Sequence, residues 1–176
     1  MKVRNMVLCA MFAALLAVCA WISLPVADVA FTLQTFGVAL ALGLLGGKRG
    51  SAAIFVYLLL GAVGAPVFAG FRGGIGTLLG ATGGYIAGFL LWGLVYWLVT
   101  ALWGESGKLR LLGMLLGLLL CYAFGTVWFY LGYLENGSNM GLGLILVKCV
   151  VPYLLPDAIK LTLAHLLTQR LKPFIK

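Results

Sequence analysis

Long apolar runs, separated by short polar or glycine-rich interruptions, set the pattern of this chain. Such runs cover residues 5–23, 85–103 and 111–131, with shorter ones at 36–46, 51–64 and 142–154, and a last run from Asp157 to near Arg170. A run of about 17–25 apolar residues crosses a bilayer as a helix. In lipid only helices and closed barrels satisfy their backbone polar groups. Barrel strands would alternate, and these runs do not. The interruptions are Pro25 to Thr35, Gly46 to Gly50, Gly64 to Gly84, Glu105 to Arg110 and Glu135 to Asn139. The pattern predicts an all-α integral membrane protein, one domain over residues 1–176, with six transmembrane helices. The second is short unless Phe31 to Thr35 extend it. The sixth is expected to open near Asp157 after a break at Pro152 and Pro156, because proline suits a first helical turn.

Composition sharpens this. The chain is 64% hydrophobic and 9% charged, and its mean hydropathy of +1.14 excludes an ordinary soluble domain. The net charge of +8 raises nucleic acid as a partner, but the cations fall in small groups between apolar runs, as topogenic residues do. With the N-terminus inside, six spans put Lys2, Arg4, Lys48, Arg49, Lys108, Arg110, Arg170, Lys172 and Lys176 in the cytoplasm. Asp28, Arg72 and Glu135 then lie outside. Both termini are therefore expected to be cytoplasmic, in a cell membrane, with no nucleic-acid partner. The first run is long for a signal core, so it is read as a retained helix.

With so few charges, those inside apolar runs stand out. Lys148, Asp157 and Lys160 lie in the C-terminal apolar region. An ionisable residue at membrane depth is a functional-site candidate. Asp157 and Lys160, three apart, share a helix face. They make either a buried ion pair joining two helices or a grip on a small polar ligand, and the expected break at Pro156 favours a cavity there. Lys148 is expected to snorkel outward.

The segment from Val67 to Tyr85 is dense in glycine. It lacks the Gly-Lys-Ser/Thr of a phosphate loop and misses the dinucleotide spacing. It is expected to form an extracellular lid between the third and fourth helices, its glycines allowing close approach to a ligand. Phe68, Phe71 and Tyr85 are its aromatics. Gln34 and Thr35 open the second helix, either as caps or as ligand contacts. Ala10, Ala13, Ala14 and Ala17 give the first helix a small-residue face, for internal packing or for an external partner. His165 has no acidic or cysteine neighbour and reads as packing. Cys9, Cys19, Cys121 and Cys149 lack metal or redox spacing. With no nucleophile–base pair, metal cluster or ATP motif, the chain is not expected to be an enzyme or to hold a cofactor.

Three motifs, at their mutual spacing, carry a resemblance: Phe31-Thr32-Leu33-Gln34-Thr35, the run from Pro66-Val67-Phe68-Ala69-Gly70 through Thr82-Gly83-Gly84-Tyr85, and Pro156-Asp157-Ala158-Ile159-Lys160. With them the chain resembles the BioY family, the biotin-specific S components of energy-coupling-factor (ECF) transporters, over nearly its whole length. Two positions depart from the family pattern: Ala27 to Ala30 has no proline, and Ala81 stands where proline is usual. The resemblance implies six helices, biotin capture from outside, and partnership with a membrane coupling subunit and two ATPases. It implies docking on that subunit through the first helix, here Ala10/Ala14 and Ala13/Ala17. Biotin suits the residues: Asp157 accepts from ureido N–H groups, Lys160 donates to the ureido oxygen or the carboxylate, and Phe68, Phe71 and Tyr85 cover the apolar ring. The alternatives are an S component for another vitamin, or a small membrane enzyme or assembly factor using Asp157 as an acid.

Overall fold

The computed structural model describes residues 3–24, 30–135 and 141–175. The loop carrying Pro25, Ala27 and Asp28, and the polar stretch 136–140, lie outside the described residues. Helix α1 spans Val3–Trp21. A two-residue strand, β1 Ser23–Leu24, pairs antiparallel with β2 Phe31–Thr32, in register Ser23 to Thr32. Then come α2 Gln34–Leu45 and α3 Gly47–Ala62, a 3-10 turn at Ala69–Phe71, α4 Ile75–Leu79, α5 Gly83–Trp103, α6 Gly107–Glu135, α7 Leu142–Cys149 and α8 Val151–Ile175.

Among the described residues, four helical stretches are long and apolar enough to cross a membrane: Val3–Trp21, Gly83–Trp103, Gly107–Leu134 and Leu142–Phe174. The apolar α2 has 12 residues, about 18 Å at ~1.5 Å per residue, short of a bilayer core. It turns into α3 at Gly46, whose φ of +80° is one that side-chain-bearing residues rarely adopt.

The C-terminal region departs from the sequence expectation. Pro156 does not open a helix; it lies inside α8. The interruption falls at Val150, with φ −123° and ψ −55°. Proline removes its own N–H and crowds the carbonyl four residues earlier, and surrounding groups in a packed membrane helix absorb both costs. A cavity beside Asp157 therefore cannot be inferred from broken backbone. It has to come from how α8 packs.

The α5–α6 seam is built on close approach. A Cβ on Gly125 would lie 2.1 Å from Cδ1 of Tyr85, and one on Gly117 would lie 2.0 Å from Cδ1 of Trp92. Between lipid-embedded helices, where apolar surface gains little from association, such small-residue packing holds the contact. Trp92 and Tyr96 are fully buried there.

The two ends of the bundle differ. At one end Lys48, Arg49, Glu105 and Lys172 surround one hollow, and Lys172 pairs with Glu105. At the other end the glycine-rich segment 63–82 is tied to the helices, in part by the Tyr57 hydroxyl, which donates to the Val67 carbonyl at 3.1 Å. Trp21 donates its indole N–H to the Pro66 carbonyl at 2.8 Å and stacks on Phe71 at 5.1 Å. Trp128 donates to the Gly80 carbonyl at 3.1 Å.

Candidate binding site

Helix α8 carries Asp157 and Lys160 on one face, and that face packs on the start of α2. Both are buried, at 3% and 7% exposure. Lys160 Nζ donates to Asp157 Oδ1 at 2.8 Å and to the Thr32 carbonyl at 2.7 Å. It also sits 4.0 Å over the Phe31 ring, a cation–π contact that gains strength away from water. Phe31 in turn stacks on Tyr153 at 6.3 Å. Asp157 Oδ1 accepts a second hydrogen bond from Thr35 Oγ1 at 2.8 Å, and Oδ2 accepts from the Tyr122 hydroxyl. Two opposite charges with this many partners are tolerable in a low-dielectric interior, where either one alone would be costly.

Beside the pair lies a cavity of about 90 Å³, lined on its polar side by Thr32, Gln34, Thr35, Tyr122, Asp157 and Lys160. That is room for several water-sized groups. An ammonium has three donors and a carboxylate about four acceptor positions. With the partners above, Lys160 keeps one N–H and Asp157 about one lone pair, on Oδ2, for a guest. The rest of the wall is apolar or aromatic: Ile86, Phe89, Leu118 and the rings of Tyr85 and Tyr153. An apolar chamber with a few convergent polar groups is the usual form of a small-molecule site.

The predicted residues separate. Gln34, Thr35, Tyr85, Asp157 and Lys160 all line the cavity. Neither Gln34 nor Thr35 uses its side chain to cap α2; Gln34 donates to the Tyr57 hydroxyl at 2.7 Å, while Thr32 Oγ1 accepts the Gln34 backbone N–H at 3.2 Å. Tyr85 shares a hydrogen bond with Thr126 at 3.1 Å. Phe68 and Phe71 are not in the wall. Phe68 is fully buried against Gly61 and lies edge-on to Tyr57 at 5.5 Å. Phe71 is 64% exposed, held outward by a positive φ of 57° and by its stack on Trp21. The segment's cavity contacts are instead Ala69 and Thr82. Lys148 is exposed near the end of α7, away from the cavity. His165 bonds Gln169 at 2.8 Å. All four cysteines are buried, and none is in a disulfide. The alanines of α1 divide too: Ala13 and Ala17 are buried within the bundle, while Ala10 and Ala14 are exposed. With α1 packed this way, Ala13 and Ala17 are not available to an outside partner.

This architecture and site can be set beside known proteins. The model of the BioY family matches residues 1–176. The chain belongs to the BioY family. Among its relatives, the biotin transporter BioY of Thermotoga maritima is 41% identical over 96% of both chains. The probable biotin transporter BioY of Pyrococcus horikoshii is 39% identical over 98% of both. The fold is similar to the crystal structure of the S-component for biotin from an ECF-type ABC transporter. That match has a TM-score of 0.84 and 26% identity, and covers 98% of this chain and 92% of the other.

Within this BioY chain, sequence alone does not single out Tyr122, Tyr153 or Phe31 as neighbours of the pair. Tyr122 sits in an apolar stretch of α6, 35 residues from Asp157. The available signal was weak: a tyrosine in a lipid-crossing helix needs a partner for its hydroxyl, and Asp157 is one of few candidates.

Proposed function

We propose that this chain is the substrate-binding S component of an ECF-type transporter, that it captures biotin in the cavity beside Asp157 and Lys160, and that it takes part in transport rather than catalysis. The observation that carries this reading is the buried, incompletely saturated Asp157–Lys160 pair facing an apolar chamber in a chain of the BioY family. Biotin presents ureido donors and acceptor, an apolar thioether ring and a carboxylate. Asp157 accepts from ureido N–H; Lys160 donates to the ureido oxygen or the carboxylate. Thr35 and Tyr122 fix the Asp157 carboxylate, and Gln34 and Tyr85 shape the wall. Phe68 supports the segment above the site from behind, and Phe71 holds it from outside.

The finer architecture belongs to the same proposal. Six membrane-crossing elements are counted when α2 and α3 are each taken as one and α7–α8 as one. Both termini are cytoplasmic, and residues 63–82 form an extracellular lid. What supports the sidedness is the collection of Lys48, Arg49 and Lys172 at one end, with Arg72 beside Phe68 in the lid segment. Energy comes from partners, a membrane coupling subunit and two ATPases, and the coupling subunit docks on the exposed Ala10 and Ala14 of α1. The setting is a cell membrane.

The test is equilibrium binding of radiolabelled vitamins to the purified chain. Sub-micromolar biotin binding, unchanged by excess of other vitamins and without chemical conversion, is expected. Tight binding of a different vitamin with no biotin competition would overturn the assignment.

A further inference from the structure

Helix α3 begins against the usual electrostatic rule. Its first turn holds Lys48 and Arg49 and no acid, its N-cap Gly46 offers no side-chain acceptor, and the carboxylate beside Gly46, that of Glu105, is already paired with Lys172. Unsatisfied N–H groups at a helix start favour anions and disfavour cations. Both side chains are exposed. The ion pairs among the described residues, Lys160 with Asp157 and Lys172 with Glu105, include neither of them.

Two adjoining hollows, of about 420 and 540 Å³, share Lys48, Arg49 and Trp97. The first adds Lys172, Glu105 and Thr100; the second runs on past Asn5 of α1 and Ser51, Ala52 and Phe55 of α3. Ser51 is 6% exposed, and its hydroxyl has no hydrogen-bond partner among the described residues. Phe55 and Trp97 are 49% and 41% exposed. The groove therefore has a mouth with three cations to one acid, an indole where the polar and apolar zones meet, and a floor that is apolar apart from Asn5 and Ser51. An anionic phospholipid has the complementary chemistry, with phosphate at one end and an acyl chain at the other.

We propose that this groove binds an anionic phospholipid, its phosphate on Lys48, Arg49 and the first turn of α3, and its acyl chain along Ala52, Phe55 and Trp97. The site shares no lining residue with the cavity beside Asp157 and does not depend on what that cavity holds.

Native mass spectrometry of the delipidated full chain tests this, titrating phosphatidylglycerol and phosphatidylcholine of identical chains. Phosphatidylglycerol should bind preferentially. Replacing two cations at about fivefold each, Lys48→Gln/Arg49→Gln should weaken it by roughly 30-fold, with phosphatidylcholine unchanged and helicity retained. Ala52→Trp should lower phosphatidylglycerol affinity by filling the chain-binding floor. Lys108→Gln, an exposed cation outside the groove, should leave it within about twofold. Equal binding of the two lipids overturns the proposal. So does an equal loss from Lys108→Gln, which would mean bulk charge. Competition by glycerol phosphate as strong as by the lipid would make this a simple anion site. Unchanged lipid binding in the double variant, with lost assembly onto coupling subunits, would make it a protein-docking surface instead.

Discussion

The α5–α6 seam and the cavity end of the α2–α8 seam are held by different kinds of contact. Along α5–α6, glycines admit aromatic rings from the facing helix, and shape does most of the holding: Tyr85 lies on Gly125 and Trp92 on Gly117. Along α2–α8, the contact at the cavity is polar, with Thr35 and Thr32 meeting Asp157 and Lys160. A shape-based seam is already complete. A polar seam with unused donors and acceptors can accept a guest. Stability and binding should therefore respond differently to mutation in the two places.

The largest effect is expected from splitting the ion pair. Lys160→Ala leaves a buried carboxylate without its main partner, a loss of about 3–5 kcal/mol for a buried pair broken on one side. Replacing both, Asp157→Leu/Lys160→Met, should recover most of that stability, because matched apolar groups avoid desolvation, yet biotin binding should stay lost. Thermal unfolding and binding on the same preparations would separate the two effects. Recovery of both together would make the pair purely structural.

Phe68→Ala comes next. Removing a fully buried aromatic costs about 3–5 kcal/mol in soluble cores, and the seat against Gly61 and Tyr57 offers no replacement contact. Phe71→Ala, at an exposed position, should change the unfolding midpoint little and instead speed biotin release by loosening the Trp21 tie. Equal destabilisation by both would contradict their separate placement.

Gly125→Ala should cost about 1–3 kcal/mol by overpacking and displace Tyr85 from the cavity wall. Gly132→Ala on the same helix, where a Cβ meets nothing within 4 Å, should be neutral or slightly stabilising through helix propensity. Similar melting curves for the two would mean that α5 and α6 are not in this register.

Two further variants address the outer faces. Ala14→Trp on exposed α1 should leave binding intact and abolish uptake in cells carrying the coupling subunit and ATPases, whereas Ala13→Trp should destabilise the chain itself. Parallel loss of binding and uptake in Ala14→Trp would assign that face to internal packing. For sidedness, an impermeant thiol reagent should label a Cys at Gly76 from outside and not one at Ser106. Labelling only at Ser106 would invert the topology.

The helical segments were legible because apolar runs and glycine or charged breaks mark them directly. α5, expected over 85–103, runs Gly83–Trp103. The Asp157–Lys160 contact was legible because three-residue spacing puts both on one helix face. Pro156 misled because a local rule for helix starts was applied where packing let the helix continue. Phe68 and Phe71 are aromatics of one segment, yet one is buried and one exposed. That depends on Gly61 offering a seat and on consecutive positive φ angles at Gly70 and Phe71, which spacing along the chain does not reveal. The division of the α1 alanines likewise depends on where α2 and α3 lie.

The most direct measurement is biotin affinity of the purified chain beside that of Asp157→Asn, which keeps the side chain's size and removes its charge. Losing a hydrogen bond to a charged group lowers affinity by roughly 1.5–3 kcal/mol, about 10–150-fold, and that loss is expected in a variant that still inserts and purifies. An unchanged affinity would mean that biotin does not meet Asp157, and the cavity beside it would no longer be the binding site.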